Sequence, residues 1–297
     1  MTIVITTPTG NIGGKTASLL LDAKENITVI ARNRDKVAAL AKRGAKIVEG
    51  SHSDSKLLVE ATRNAKALLF ITPPNFVSED IVADYAVFGE AAAEAISQNN
   101  IPHVVYLSSV GAEQTSGTGP ILGSHYNEER LNKVARNIVH LRPAYFMENT
   151  LGQIQSIIGA GQLFTPLKGN TAFPMIATAD IAARAAMLLK TRNFSGQQVM
   201  ELMGPEDMSY NRVAEVLSGV LGKKLSHTTV PGSALVDSIV QMGGSKHMGE
   251  SLLELTMSIE SNHIHFSQER SEENRTSTTY ETFAKEIFMP VFEHQAA

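Results

Sequence analysis

The stretch Ile3-Val4-Ile5-Thr6-Thr7-Pro8-Thr9-Gly10-Asn11-Ile12-Gly13-Gly14-Lys15-Thr16-Ala17-Ser18-Leu19 decides how the whole chain is read. A short β-branched run passes through a glycine-bearing turn into a segment of helical character, so it reads as strand, tight turn and helix. Working outward, apolar runs recur at 3–6, 27–31, 46–49, 67–71, 104–107 and 138–141, with helix-period segments at 14–21, 36–42, 56–63, 81–99 and 128–136. The runs lack polar alternation, as expected of parallel strands covered by helices on both faces. Strands alternating with right-handed crossover helices predict an α/β fold, a doubly wound parallel sheet of Rossmann type.

After Thr150 the texture changes, with Gly159-Ala160-Gly161 and Phe164-Thr165-Pro166 introducing shorter, mixed elements. Ala179-Asp180-Ile181-Ala182 opens an Ala-rich helix with Asp180 as its expected N-cap, and 198–203 reads as a strand ending at Gly204-Pro205. Ser209 is placed to cap the next helix and Gly222 to end it. The expected organisation is a nucleotide-binding unit at 1–150, rejoined by a strand and helix within 177–204, and a smaller C-terminal α/β substrate region at 151–297.

At 297 residues, 43% hydrophobic and 19% charged, the chain can bury a full core. The net charge of −4 comes from 26 basic and 30 acidic residues that are interspersed, which argues against a nucleic-acid or membrane surface. Cysteine is absent, so disulfides, cysteine nucleophiles and thiolate metal sites are excluded, and redox chemistry must come through a bound cofactor. The apolar run 67–71 is stopped by Pro73 and Pro74, far short of the roughly 18 residues of a membrane span. Met1 leads into Ile3 without a basic leader, which predicts a cytoplasmic protein. His263 and His265 are spaced to share a strand face, but no third ligand accompanies them, and no metal is expected.

Gly10 and Gly13 lie between a first strand and a first helix, the context that a dinucleotide fingerprint requires. A side chain there would hold the backbone away from a pyrophosphate, whose charge is met by free N–H groups and the positive helix end. Thr7, Thr9, Asn11 and Ile12 belong to the same turn, and a side chain at Gly13 is expected to obstruct the phosphates without unfolding the domain. An NAD-type site ends its second strand with Asp or Glu. Here Arg32-Asn33-Arg34 stands instead, with no carboxylate before Asp35. A guanidinium fork suits a 2′-phosphate, so NADP(H) is the expected cofactor, although both arginines also read as solvated residues at a strand end. Thr72, Pro73 and Pro74 after the fourth strand form either a wall facing the dinucleotide or a stiffened loop. Ser108 and Ser109 after the fifth are weak hydrogen-bond donors to a ligand or loop caps.

The nearest match to a Tyr-x-x-x-Lys pair is Tyr126-Asn127-Glu128-Glu129-Arg130. The spacing puts Tyr126 and Arg130 on one helix face, yet arginine is no substitute for a ribose-clamping lysine. The alternative alignment is His125-x-x-x-Glu129, with His125 also readable as a bland residue at a helix start. Tyr126, His125 and Ser109 are therefore the catalytic candidates. Tyr145, Phe146 and Met147, with Phe164, Phe173 and Met175, read as an apolar slot for substrate or as core.

The glycine turn, Ala31-Arg32-Asn33, Phe70-Ile71-Thr72-Pro73-Pro74, Ser108-Ser109-Val110-Gly111-Ala112, Leu141-Arg142-Pro143-Ala144-Tyr145-Phe146-Met147-Glu148-Asn149 and Met200-Glu201-Leu202-Met203-Gly204-Pro205-Glu206 occur in this order. Together they resemble the NmrA-like family of atypical short-chain reductases, especially its quinone, azo-dye and triphenylmethane-dye reductases. The resemblance implies NADP(H) held by the glycine turn, Arg32 ahead of Arg34, the Thr72–Pro74 loop, Ser108 and Pro143. It further implies hydride transfer to a quinone or similar small, planar, apolar acceptor such as an azo dye. The alternative within the family is a non-catalytic redox sensor that binds NADP(H) and acts through a protein partner, and a homodimer fits either role. The chain departs from the family at Thr7, where the first glycine usually stands, and at Ser51, where an aspartate is common.

NADPH is expected to bind more tightly than NADH, and Arg32→Ala to narrow the gap. Loss of a charge-assisted phosphate contact, about 1.5–3 kcal/mol, corresponds to roughly ten- to a hundredfold in Kd. Equal affinities in the unmutated protein, measured by fluorescence titration, would overturn the assignment.

Overall fold

The computed structural model describes residues 2–296. In chain order the elements are β1 (Thr2–Ile5), α1 (Asn11–Asp22), β2 (Ile27–Ala31), α2 (Ala38–Lys42), β3 (Lys46–Glu49), α3 (Ser55–Ala61), β4 (Ala65–Phe70), α4 (Ile81–Asn99), β5 (Val104–Leu107), α5 (Ile121–Asn132) and β6 (Ile138–Pro143). There follow β7 (Tyr145–Phe146), α6 (Ile154–Ala160), β8 (Gln162–Thr165), β9 (Phe173–Ile176), α7 (Thr178–Thr191), β10 (Gln197–Leu202), β11 (Asp207–Met208), α8 (Tyr210–Leu221), β12 (Ser226–Thr229), α9 (Gly232–Gln241) and α10 (Lys246–Glu260). A short helical stretch over 280–296 ends the described chain.

Seven strands form one parallel sheet in the order β10-β6-β5-β4-β1-β2-β3. The chain builds outward from β1 to β3, then returns to the other side of β1 with β4. That reversal opens a crevice beyond the carboxyl ends of β1 and β4, where ligands of open α/β sheets bind. The core strands are buried on both faces: Ile3, Val4, Ile5, Leu68, Leu69, Val104 and Val105 have no accessible surface. One core includes β1, β4 and α7 residues such as Ile5, Leu69 and Ala182, and a second lies on the opposite face around Val4, Phe70 and Tyr106. A third gathers Met147, Phe173, Met175, Tyr210 and Phe288 under the smaller sheets β11-β9-β7 and β12-β8. Helices α4 and α5 approach closely enough that a Cβ at Gly89 would meet Asn127 Oδ1 at 1.9 Å, which is why a glycine sits there and how α5 is pressed toward the crevice.

Three local expectations are corrected. The helix expected at 128–136 runs from Ile121 to Asn132, so His125 and Tyr126 lie in its middle rather than at its start. Helix α7 begins at Thr178 behind the N-cap residue Ala177, and Asp180 sits inside its first turn, accepting hydrogen bonds from Thr278 N and Oγ1. The 263–265 segment forms no strand, so His263 and His265 share no strand face. Ser209 and Gly222 cap α8 as expected.

The carboxyl end of β4 is tied to its neighbours through the Ile71 peptide, whose carbonyl accepts from Thr7 Oγ1 at 3.0 Å and from His52 Nε2 at 3.0 Å. His52 is buried beside Phe70 and Phe88. Burial, opposed by the Ile71 carbonyl and assisted by Arg32, lowers its pKa to about 4. The unfolded chain therefore takes up a proton below an ordinary histidine pKa, whereas the folded chain refuses it until about pH 4. The resulting stability is complete above pH 6.5 and lost as the pH falls toward 4, by about 3 kcal/mol in all. His52→Gln, which retains a donor, is expected to lose this dependence in urea unfolding between pH 7 and 4.5. An identical pH dependence in both proteins would contradict it.

Candidate active site

The turn after β1 is shaped by one unusual residue. Thr7 occupies the left-handed region at φ +54°, where a β-branched residue is strained by roughly 1–2 kcal/mol. Its hydroxyl bond to Ile71 O offsets part of that cost. The fold thus keeps the glycine-like turn with a threonine in the glycine's place. Gly13 packs directly on this turn: a Cβ there would lie 2.3 Å from Thr7 O. The expectation that a Gly13 side chain would spare the fold is corrected, because it would collide with backbone. Gly10 differs, since its φ is −86° and an added Cβ would meet nothing closer than 3.6 Å within the protein.

Helix α1 has no side-chain N-cap and no acidic residue in its first turn, whereas α3, α4, α8 and α10 are capped by Asp54, Asp80, Ser209 and Ser245. Its terminal N–H groups and positive dipole end therefore face a cavity of about 560 Å³ without a protein acceptor from its own cap. This combination fits a pyrophosphate. Thr7, Gly10, Asn11, Ile12, Gly13, Thr72, Pro73, Pro74, Ser108 and Ser109 all line this crevice, and Thr9 is exposed on the turn outside its lining. Arg32 and Arg34 project from the end of β2, exposed, and neither has an ion-pair partner among the described residues. They lie outside the crevice lining.

A second cavity of about 520 Å³ adjoins the first. Ser109, Ile121, Phe146 and Asn149 line both. Pro143, expected against the cofactor, lines only this second cavity, because β6 ends one strand further from the switch point. Tyr145 and Phe173 meet edge to face, with centroids 5.4 Å apart, and the Tyr145 hydroxyl pairs with that of Tyr210 at 3.2 Å. Burial raises the Tyr145 pKa, so this phenol serves as wall rather than acid. Met147 lines neither cavity; at 1% exposure it belongs to the third core, because it turns inward at the end of β7.

The catalytic candidates separate. Tyr126 lies on the side of α5 facing α4, where its hydroxyl donates to Glu90 at 3.0 Å and Arg130 pairs with the same carboxylate at 2.7 Å. The Glu90 bond raises its pKa, the reverse of an activated proton donor. His125 Nδ1 bonds Ala112 O at 2.8 Å and also lines neither cavity. Ser109 alone stands at the junction, its hydroxyl donating to Val110 O at 3.1 Å. Ser108 is committed to Glu128, a buried carboxylate that Arg142 clamps with bonds of 2.9 and 2.6 Å. Sequence reasoning missed Tyr85, Ser124, Glu148, Asn149 and Thr178 in the crevice and the 255–270 segment over the second cavity. Of these only Glu148 and Asn149 stood in a recognised motif.

The two glycines offer a clean test. Gly10→Ala is expected to fold normally and weaken NADPH binding at least tenfold, about 1.4 kcal/mol, because its Cβ enters only the crevice. Gly13→Ala should lower the melting temperature as well, since overpacking against backbone costs about 1–3 kcal/mol. Unchanged NADPH affinity in a folded Gly10→Ala protein would refute the phosphate cradle.

A profile of the NmrA-like family matches residues 1–284. The chain is 25% identical to an NAD(P)H azoreductase of Xenophilus azovorans over 255 residues, 85% of each protein. Its fold is similar to the Citrobacter sp. triphenylmethane reductase complexed with NADP(H), with a TM-score of 0.80 and 21% identity over 95% of this chain and 99% of that one. It is also similar to NmrA, a negative transcriptional regulator in complex with NADP, with a TM-score of 0.75 and 15% identity over 100% and 98%. With a family match that runs from residue 1 to residue 284, and a seven-strand parallel sheet behind a glycine-bearing turn, the chain belongs to the NmrA-like family.

Proposed function

We propose that this chain is an NADPH-dependent oxidoreductase that reduces a small planar conjugated acceptor, a quinone or azo-type compound. The observation that carries the reading is the junction: a phosphate-type crevice and an apolar cavity share Ser109, Ile121, Phe146 and Asn149. A nicotinamide ring lying past the crevice would meet an acceptor there, and holding the two at reacting distance supplies much of the rate. NADPH supplies the hydride. The chain supplies a slot walled by Tyr145, Phe146 and Phe173, large enough for a bicyclic ring system, and keeps bulk water from one face of it. The azoreductase and triphenylmethane reductase relatives support this chemistry.

Acceptor choice follows from what the junction lacks. Tyr126 is turned away to Glu90, and no lysine lines either cavity. A quinone or azo group takes up hydride into a delocalised anion that water protonates, whereas a simple ketone forms an alkoxide that needs a donor as it forms. The sensor reading draws on the likeness to NmrA, but a 520 Å³ apolar cavity beside the crevice favours turnover. NADPH oxidation is expected with a naphthoquinone and an azo dye and not with an aliphatic ketone. Tyr126→Phe should change kcat less than about twofold, against the 10²–10⁴-fold cost of losing a general acid. Phe146→Ala should raise the acceptor KM about tenfold, in keeping with about 1.4 kcal/mol of lost ring contact. Tight NADPH binding with no turnover across a broad acceptor panel would replace this reading with the sensor.

A further inference from the structure

One wall of the apolar cavity is not made by the Rossmann sheet. Ile264, His265, Phe266 and Gln268 belong to a strap without helix or strand that follows α10 and crosses over the carboxyl end of the sheet. Ile264 leans on Gly111, where an added Cβ would lie 2.9 Å from its Cγ1, and Phe266 packs against the main core near Phe146. Twelve of the eighteen residues 261–278 are exposed, so apolar burial alone does not fix this path.

What fixes it is a row of polar contacts to the end of β10 and the residues after it. The Glu201 carboxylate accepts Ser267 N–H at 3.0 Å on one oxygen and Gln268 N–H at 3.2 Å on the other. Arg270 donates to Gly204 O at 2.9 Å and pairs with Asp207. Met203 N–H donates to Asn274 O, and its carbonyl accepts Thr276 N–H, both at 2.8 Å. Glu201 is distinct among these partners because its side chain is charged and only 4% of the residue is exposed. Such burial is costly unless every oxygen is engaged and a counter-charge is near. The nearest counter-charge is Arg142, which stands at the paired position of β6 and feels Glu201 through space, its own ion pairs being with Glu128 and Glu113.

We propose that Glu201 is a positioning residue of the acceptor site, its buried carboxylate fastening the strap so that Ile264, His265 and Phe266 stand as a fixed wall facing Tyr145 and Phe146. The latch acts on the acceptor cavity and not on the crevice, since no strap residue lines the crevice. Its link to catalysis rests on the proposed reductase function, and the latch itself does not.

Glu201→Gln retains the shape but leaves one strap N–H facing an amide NH2. The expected results are amide hydrogen exchange at least about tenfold faster over 264–270, a naphthoquinone KM about tenfold higher, and NADPH affinity within about twofold of the unmutated protein. Glu201→Asp keeps the charge beside Arg142 and withdraws the oxygens by one methylene, so it tests the latch if the Gln variant fails to fold. It should show the same faster exchange in the strap, with less change in the melting temperature. Unchanged exchange over 264–270 in a folded variant overturns the latch. Faster exchange with an unchanged acceptor KM, or with NADPH affinity lost to the same degree, overturns its role at the acceptor site. An unmutated protein that turns over no acceptor overturns the reductase reading instead, and the exchange measurement then still decides the latch.

Discussion

The crevice depends on the peptide of Ile71. Its N–H donates to Thr6 Oγ1 at 2.9 Å, and its carbonyl gathers Thr7 Oγ1 and His52 Nε2, so the backbone of a single residue joins the ends of β1 and β4 to the loop after β3. These are the strands between which the sheet reverses direction of growth. A strained threonine at φ +54° can persist there only because its side chain is engaged and its carbonyl is packed under Gly13. Once that geometry is held, α1 has no choice but to aim its uncapped N-terminus into the gap.

The chemistry is divided between two construction methods. The crevice is made chiefly from the ends of the first parallel strands and the start of α1, with Tyr85, Ser124 and Thr178 closing it from α4, α5 and α7. The second cavity is assembled from β7, the β9–β11 sheet, the end of α10 and the strap, which are far apart in sequence and meet through the third core and the contacts at Glu201. Buried carboxylates serve both sides. Glu128 holds Ser108 at the crevice and is ion-paired with Arg142, while Glu201 accepts the strap N–H groups from the β10 position that pairs with Arg142 in register.

Much of the fold was legible because the strands are buried on both faces and therefore read as plain apolar runs. The 27–31 and 104–107 strands have the boundaries their sequences suggest, and so does the 46–49 edge strand, whose apolar pair Ile47 and Val48 is only partly buried. Helix α5 was misread because its amphipathic signal is weak: Gly123, Ser124, Asn127 and Glu128 face inward. Polar residues on a buried face are invisible to hydrophobic periodicity; Tyr126 and Arg130 do share one face of α5, but that face meets Glu90 and lines neither cavity. Likewise Asp180 looked like a cap by residue type, but a residue two positions into a helix can spend its carboxylate elsewhere, here on Thr278.

The sequence by itself determined the parallel sheet, the glycine turn after β1, the family and the basic residues after β2, because each is written in contiguous residues whose spacing obeys local steric and hydrogen-bonding rules. Tertiary structure alone decided that a side chain at Gly13 would strike backbone while one at Gly10 would meet only Thr7 at van der Waals distance, that Tyr126 answers to Glu90, and that a C-terminal strap walls the second cavity. Those outcomes turn on which non-local partner reaches a given donor or surface first. Pairings such as Glu201 with Ser267, 66 residues apart, leave no periodic mark on the chain that makes them.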